Sequence, residues 1–269
     1  MSTIKQWSKN RNIVHELIRK SIKTQYRNSI LGVFWSVLNP LLNMLVMWLV
    51  FSQFFGQNDP LYPIYLLAGN IIFQFLRSST TMSMTSIVNN RGLLTKVKID
   101  QYLFPLSSTL SSLVNFGFSF LSLLIIMLFM QLIGGYSLFG YQILGILLML
   151  PAFLLFQYGI SLFLSAIYVF CRDIQHLYTV FLTLWTYITP VFFKLDRLDA
   201  NSFAYKILKL NPMYYFLTYF RDSVYNMCYL GGGMASWKML GLLYLLGLVS
   251  IAIGYAVYLP LKKKFINYI

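Results

Sequence analysis

The amino-acid sequence predicts an all-α membrane protein with six transmembrane helices. Hydrophobic residues make up 58% of its 269 residues and charged residues only 10%, whereas soluble domains contain about 25% charged residues. Its basic residues also concentrate in alternate connections between apolar segments, a pattern typical of multi-pass membrane proteins. A helix needs about 20 apolar residues to cross a bilayer, and six segments meet this length: 31–55, 61–87, 104–133, 139–169, 174–193 and 237–259.

An amphipathic helix precedes the first span, within a predicted cytoplasmic segment of residues 1–30. Basic side chains, Arg27 among them, fall mostly outside its apolar face. Such a helix lies flat at the membrane surface, with its apolar stripe in the acyl boundary and its charges near anionic headgroups. The apolar residues recur with helical spacing: Ile13, Val14, Leu17, Ile18, Ile22 and Tyr26.

The first span opens with a glycine, an aromatic side chain and an Asn-Pro pair, namely Gly32, Trp35 and Asn39-Pro40. This start indicates a span that moves or lines a passage rather than a plain lipid anchor. Two interpretations of Trp35 and of Tyr187 in the fifth span remain open. They belong to the aromatic belt at the membrane interface, or they form surfaces on which sugar rings stack.

Polar side chains surround the second half of the second span. Ser78 and Thr81 belong to a run of hydroxyl residues between Arg77 and Ser86. These hydroxyls either pack between helices or line a water-filled passage. Arg77 is costly in lipid, so it either has a structural partner or contacts an anionic substrate.

The connection between the second and third spans, about residues 89–103, is short, basic and mildly amphipathic. It is either a solvated turn or a helix that docks a cytoplasmic partner. Its candidate docking residues are Arg91, Leu93, Leu94, Lys96, Val97 and Lys98.

The long connection 194–236 contains two apolar segments too short to span, Phe203 to Leu210 and Pro212 to Tyr229. Asn211-Pro212 separates them, and Tyr214 and Tyr215 follow directly. Short apolar helices split by a proline predict a re-entrant hairpin at about 200–230, before the last span.

Charge sets the expected orientation. The predicted inner segments hold 14 of the 21 Lys and Arg residues and three of the seven acids. Both termini, including the basic tail 260–269, are therefore expected in the cytoplasm. The same distribution explains the net charge of +14 without a nucleic-acid partner. In this predicted topology Cys171 and Cys228 lie on opposite sides of the membrane, and neither has metal or redox spacing. Neither a disulfide nor a metal site is therefore expected.

The sequence lacks the residues that drive transport or catalysis. It contains no phosphate-binding loop of the ATPase type, and its two histidines have no metal-ligand spacing. Carboxylates occur only at the margins of the spans, whereas proton- or sodium-driven carriers use ionisable groups within the membrane. We therefore expect a non-enzymatic transport subunit that binds no cofactor itself and takes its energy from elsewhere.

The ordered motifs resemble the permease subunits of ABC-2 type transporters, in the branch that exports teichoic acid and O-antigen. Each motif is weak alone, but their order covers nearly the whole chain. They are Tyr26-Arg27-Asn28-Ser29-Ile30-Leu31-Gly32 with Trp35 and Asn39-Pro40, Ser86 to Asn90, Leu94 to Val97, Leu103 to Ser107, Val169 to Ile174, Ile188 to Val191, Leu210 to Tyr215, and Arg221.

This resemblance implies the ABC-2 (type V exporter) fold over 31–259, a homodimer, and two cytoplasmic ATPase subunits that carry ATP and Mg. It implies a coupling helix at Arg91 to Asp100 and an outer cap at about Phe203 to Tyr229. The polymer path would run between the two copies, near spans one, two and five. Gly32 and Trp35 would lie at the inner entrance, and Arg27 would meet a lipid-linked phosphate.

The expected function is therefore that of a permease subunit in the bacterial cytoplasmic membrane that exports a lipid-linked cell-envelope polysaccharide. Two alternatives remain open. One is an ABC-2 permease for a small hydrophobic compound or lipid, and the other is a scaffold subunit of a membrane glycan synthase. The sequence does not identify the polymer.

Overall fold

The computed structural model describes residues 2–27, 31–55, 60–97, 99–134, 140, 142–193, 202–228, 236–265 and 268. Within this part of the chain every regular element is helical, which confirms the predicted all-α class. The helices are α1 (Ser2–Tyr26), α2 (Phe34–Phe55), α3 (Tyr62–Asn89), α4 (Arg91–Leu94), α5 (Leu103–Gly134), α6 (Ile143–Phe170), α7 (Ile174–Ile188), α8 (Phe203–Leu210), α9 (Pro212–Cys228) and α10 (Trp237–Lys262).

Among the described residues, three helices are long and apolar enough to cross a membrane: Leu103–Leu132 in α5, α6 and α10. The apolar part of α2 is shorter, Phe34–Val50. Helix α3 has 28 residues but carries Arg77 and its hydroxyl run, while α7 has only 15 residues. The count of six spans therefore stays a prediction.

Aromatic side chains fill the core between α3, α5, α6 and α9. The Phe75 ring stacks on Phe116 at 4.7 Å between centroids, and Phe153 contacts Phe216 at 4.9 Å. All four rings are buried. Such rings bury large apolar areas, and these contacts join α3 to α5 and α6, and α6 to α9.

Glycines allow α10 to lie directly against α6. A Cβ placed on Gly254 would collide with the backbone of Gly159, and one on Gly159 would collide with Ser250. Ser250 also donates to the Phe156 carbonyl at 2.8 Å. Small residues that permit close backbone approach are typical of helix pairs in membranes.

Two local residues decide where α2 begins and where α7 ends. Gly32 has a φ of +49°, a left-handed conformation that glycine adopts easily, and it separates α1 from α2. Pro190 disfavours helical backbone at Thr189, and α7 accordingly ends at Ile188. The apolar segment 174–193 is thus a short helix followed by extended chain.

Helices α8 and α9 match the two predicted short segments closely, since α8 ends at Leu210 and α9 begins at Pro212, while their outer location stays a prediction. Between α3 and α5, the helical part is the single turn α4, shorter than the stretch 91–100 expected to form a coupling helix.

Candidate functional site: a polar groove along α3

A cavity of about 630 Å³ lies beside the start of α2. Gly32, Trp35 and Asn39 line it, with Ser78 on the opposite wall. Trp35 is 40% exposed, so its ring is accessible from the cavity. These four residues were predicted to lie on the substrate path, and the structure brings them together.

The end of α1 is tied to this cavity by hydrogen bonds. The Tyr26 hydroxyl contacts the Ser36 hydroxyl and donates to Asn115 Oδ1 at 3.0 Å. Asn115 Nδ2 in turn donates to Gln25 Oε1 at 3.0 Å. Helices α1, α2 and α5 therefore meet in one polar network at the cavity wall.

Serines of α5 hold the first turns of α2. Ser119 donates to the Ser36 carbonyl at 3.4 Å and Ser122 donates to the Val37 carbonyl at 2.7 Å. Pro40 has no N–H, so the Ser36 carbonyl lacks its helical partner. Ser119 supplies that donor, which is how the proline is accommodated beside the cavity.

A second cavity, of about 300 Å³, continues towards α7. It shares Asn43, Asn70 and Gln74 with the first cavity. Arg77 and Tyr187, two further residues predicted for the path, line it. The two cavities form one groove, which we call the α3 groove.

The wall of the α3 groove carries polar stripes at helical spacing between apolar side chains such as Met44, Phe73 and Phe116. Each stripe follows the i, i+3, i+4, i+7 pattern of one helix face. The stripes are Ser36, Asn39 and Asn43 on α2, Asn70, Gln74, Arg77 and Ser78 on α3, Ser112, Asn115 and Ser119 on α5, and Thr183, Thr186 and Tyr187 on α7.

Three amides of the groove are available to a ligand. Among the described residues, the side chains of Asn43, Asn70 and Gln74 make no hydrogen bond, and all three line both cavities. An amide offers two donors and an oxygen acceptor. The groove therefore presents neutral hydrogen-bonding groups suited to a polyhydroxylated ligand.

The sequence analysis did not single out these three amides, because among the amides of the spans it considered Asn39 of the Asn39-Pro40 pair. Their spacing carried a signal: Asn39 and Asn43 are four residues apart, as are Asn70 and Gln74. A polar pair at this spacing places both side chains on one helix face.

The hydroxyl run of α3 divides into two faces. Ser79, Thr80, Ser83 and Ser86 are buried, and Ser83 donates to the Pro105 carbonyl at 3.2 Å. These hydroxyls pack between helices, which is one of the two interpretations of the run; the other is that they line a water-filled passage. Ser78 faces the groove.

Two predicted path residues lie outside the groove wall. Arg27 is exposed after the end of α1, and Thr81 is half-buried on α3. Neither lines either cavity. Their roles in the path stay predictions.

Asn211, one of the predicted cap residues, connects α7 and the chain after it to α9. Its Oδ1 accepts hydrogen bonds from the Trp185 indole N–H at 2.8 Å and the Met213 backbone N–H at 3.0 Å. Its Nδ2 donates to Thr189 Oγ1 at 2.8 Å. Asn211 is buried, so its side chain links α7 to α9 inside the protein and is not exposed at the protein surface.

The other predicted cap residues lie beside Asn211 at the start of α9. Pro212 is the first residue of that helix. Tyr214 and Tyr215 are half-buried and meet edge to face at 5.1 Å. The Tyr215 hydroxyl donates to the Lys209 carbonyl at 2.8 Å, which ties α9 back to α8.

Arg221 holds the extended chain after α7, a role that sequence reasoning did not assign. Its guanidinium donates to the carbonyl oxygens of Pro190 at 2.6 Å and Val191 at 2.5 Å. It also lies 3.5 Å from the centre of the Tyr65 ring. Gly69 leaves room for it, because a Cβ there would collide with the guanidinium. Val191 lines the groove, so Arg221 positions part of its outer wall.

The candidate coupling residues divide into an inner and an outer set. Leu93 and Leu94 pack against the inner core around Ile87 and Phe104. Arg91, Lys96 and Val97 are exposed, while Lys98 lies outside the described residues. The loop is thus anchored by its leucines and presents cations outwards.

Tyr102 connects this inner region to α1. Asn10 Nδ2 donates to its hydroxyl at 3.4 Å. Burial, and then the nearby Asp100 carboxylate, raise the pKa of Tyr102 above its ordinary value of 10.0. The hydroxyl stays protonated at neutral pH and contributes no charge.

A third cavity, of about 570 Å³, lies between α1 and the inner ends of α3 and α5. Lys20, Thr24, Asn89 and Ser108 line it, and Gln25 belongs to this cavity and to the α3 groove. Polar lining therefore continues from the groove to the underside of α1.

The described residues hold no group of His, Cys, Asp or Glu side chains able to bind a metal ion. The α3 groove offers hydrogen bonds, aromatic faces and one positive charge, and its lining residues include no Asp, Glu, His or Cys. Its arrangement suits the binding and passage of a ligand.

Comparisons with known proteins identify the fold family. The model of the ABC-2 type transporter family matches residues 14–225. The chain is 31% identical over 216 residues to the O-antigen export system permease protein RfbA of Myxococcus xanthus, covering 80% of this chain and 81% of that protein. It is 25% identical over 249 residues to the Klebsiella pneumoniae protein of that name, covering 93% and 92%.

A more distant relative is the polysialic acid transport protein KpsM of Escherichia coli. It is 21% identical over 247 residues, which cover 91% of this chain and 92% of KpsM. The family match begins in α1 and ends in α9, so it includes every helix that lines the α3 groove. The chain belongs to the ABC-2 type transporter family.

Proposed function

We propose that this chain is the permease subunit of an ATP-driven exporter that moves a lipid-linked cell-envelope polysaccharide across the cytoplasmic membrane. The observation that carries the proposal is the α3 groove, a polar and aromatic surface on otherwise apolar helices. Two relatives are named O-antigen export permeases and another a polysialic acid transport protein, which supports a polysaccharide cargo.

The groove chemistry suits a sugar chain. The unpaired amides of Asn43, Asn70 and Gln74 can exchange hydrogen bonds with successive sugar hydroxyls as the chain slides. Trp35, exposed at the inner end, offers an apolar face for a ring. An apolar cargo would leave these polar groups without partners at a cost in binding free energy, which disfavours a small hydrophobic compound.

A second copy of the chain is the proposed partner across the groove. The α7 residues beside it are apolar and exposed: Leu177, Val180 and Leu184. Two copies that face one another would cover these side chains and enclose the polar walls. O-antigen and teichoic acid remain alternative polymers for such a path.

Energy would come from two cytoplasmic ATPase subunits, which would hold ATP and Mg. Arg91, Lys96 and Val97 form the proposed contact surface, because their side chains are exposed. Leu93 and Leu94 pack on the inner core between α3 and α5. A displacement of this loop by the ATPase would therefore move α3 directly, and the other face of α3 forms the groove.

The proposed orientation places both termini and the α3–α5 loop in the cytoplasm of a bacterium, and α8 and α9 at the outer face. The basic residues of α1 and of the inner loop support it. In this orientation the Gly32 turn lies at the inner entrance, and the Asn211 connection lies at the outer end.

Depletion of the permease in its native host tests the proposal. Surface polysaccharide and its lipid-linked precursor would be extracted and quantified before and after depletion. We expect the surface polymer to fall and the precursor to accumulate inside the cell. Unchanged surface polymer would refute the proposal, and re-expression of the wild-type chain serves as the control.

A further inference from the structure

Arg77 is a positive charge near the middle of α3. It lies 15 residues after the first residue of that helix and 12 before the last, about 22 Å and 18 Å along its axis at 1.5 Å per residue. Charged side chains at such depth are costly and are typical of functional sites.

Arg77 has no acidic partner in the described part of the chain. The ion pair found there joins His15 and Glu16 at 3.9 Å. The residues that line the two cavities of the groove include no Asp or Glu. The positive charge therefore lines the groove with no acidic side chain among the lining residues to compensate it.

The guanidinium also keeps donors available. Nη2 donates to Thr186 Oγ1 at 3.2 Å, and the Thr186 hydroxyl itself donates to the Leu182 carbonyl at 2.7 Å. The buried Nε has no partner among the described residues. Because Nε is enclosed by protein, the ligand would engage the Nη donors of the five N–H groups that Thr186 does not use, while the Thr186 bond holds the side chain in place.

We propose that Arg77 is a specificity-determining residue that selects a polymer with a negatively charged group, a carboxylate or a phosphate, in its repeat unit. The planar guanidinium matches the two oxygens of either group. The amides of Asn70 and Gln74 on the same wall bind the neutral hydroxyls. This inference rests on the proposed function of polysaccharide export.

The first test is the composition of the surface polymer that depends on this permease. The polymer lost on depletion is purified and assayed for uronic acid, other carboxylates and phosphate. An acidic group in the repeat unit is expected. A neutral repeat would overturn the role of Arg77 while leaving the export function intact, whereas no lost polymer would refute the export function itself.

The second test measures charge preference directly. The full-length chain in phospholipid nanodiscs is titrated with oligogalacturonate and with a neutral oligogalactoside of equal length. Wild type should bind the acidic probe at least about tenfold tighter, equivalent to about 1.4 kcal/mol. Arg77→Gln should bind both equally and Arg77→Lys should keep much of the preference.

Lys238→Gln is the matched control, because it removes one exposed cation at the start of α10, outside the groove. It should keep the wild-type preference. Equal binding of both probes by wild type, no binding of the acidic probe, or a preference that survives in Arg77→Gln would each overturn the inference. If Arg77→Gln fails to fold, the charge preferences of wild type and Arg77→Lys still test the inference.

Discussion

Replacing Asn211 with alanine should loosen the outer end of the groove. The asparagine accepts hydrogen bonds from the Trp185 indole at 2.8 Å and the Met213 backbone N–H at 3.0 Å, and donates to Thr189 at 2.8 Å. Alanine leaves two buried donors without a partner.

The cost can be bounded from these bonds. A buried donor that loses its partner costs about 1–3 kcal/mol, while hydrogen bonds between membrane helices average about 0.6 kcal/mol. Two orphaned donors therefore lower the free energy of unfolding by about 1–6 kcal/mol. We expect about 3 kcal/mol because the site is enclosed by protein, which lowers the unfolding midpoint by about 6–12 °C.

Thermal unfolding of the full-length chain in detergent measures this shift. Asn211→Asp keeps the oxygen acceptor and should lose less stability than Asn211→Ala. In a double-mutant cycle, Trp185→Phe removes the indole donor, so the two changes should be coupled by at least about 0.5 kcal/mol. A shift of Asn211→Ala within measurement error, or strictly additive effects, would refute the assigned bonds.

Three further predictions concern packing, coupling and the path. Gly254→Ala forces a Cβ against the backbone of α6 and should lower the free energy of unfolding by about 1–3 kcal/mol. The control Gly241→Ala places its Cβ in open space and should not destabilise the protein. Equal melting temperatures of the two variants would contradict this packing. Arg91→Glu with Lys96→Glu should reduce co-purification of the ATPase about tenfold or more at unchanged membrane levels of the permease, and normal co-purification would remove the loop as the contact. Trp35→Ala should lower polymer export while assembly with the ATPase persists, and unaltered export would return Trp35 to the interfacial aromatic belt.

Residue spacing predicted the helical class and several helix boundaries because helix geometry acts locally, while the orientation expected from charge stays a prediction. Helix geometry alone produces the i, i+3, i+4 stripe of α1. The missing N–H of Pro212 separates α8 from α9. Nearby residues therefore suffice to predict both features. The division of the hydroxyl run could not be read in this way. Whether Ser78 or Ser79 faces a cavity depends on where α5 and α6 pack against α3, which are contacts distant in sequence.

The same limit explains the site residues that were missed or reassigned. Arg221 lies about 30 residues after the carbonyls it holds, and no local pattern links them. Leu94 shows the converse case. Its apolar side chain next to basic residues predicts a docking surface, and it also packs partly against the chain's own core around Ile87 and Phe104, so its docking role stays a prediction. Leu94→Asp would therefore damage the permease itself, and the exposed Arg91 and Lys96 are the better probes of coupling.

The exposed amides on the open side of the α3 groove need polar surroundings in the assembled protein. Asn39, Asn43 and Gln74 are exposed in the single chain, and an amide moved into an apolar medium without a hydrogen bond costs about 2–7 kcal/mol. Three such amides against lipid would cost on the order of 10 kcal/mol, comparable with the whole stability of a typical domain. The groove must therefore face water, ligand or another polar surface. A second copy placed groove to groove supplies that surface and a wet passage in one arrangement, so the polar stripes themselves favour the proposed dimer over a lone chain in the bilayer.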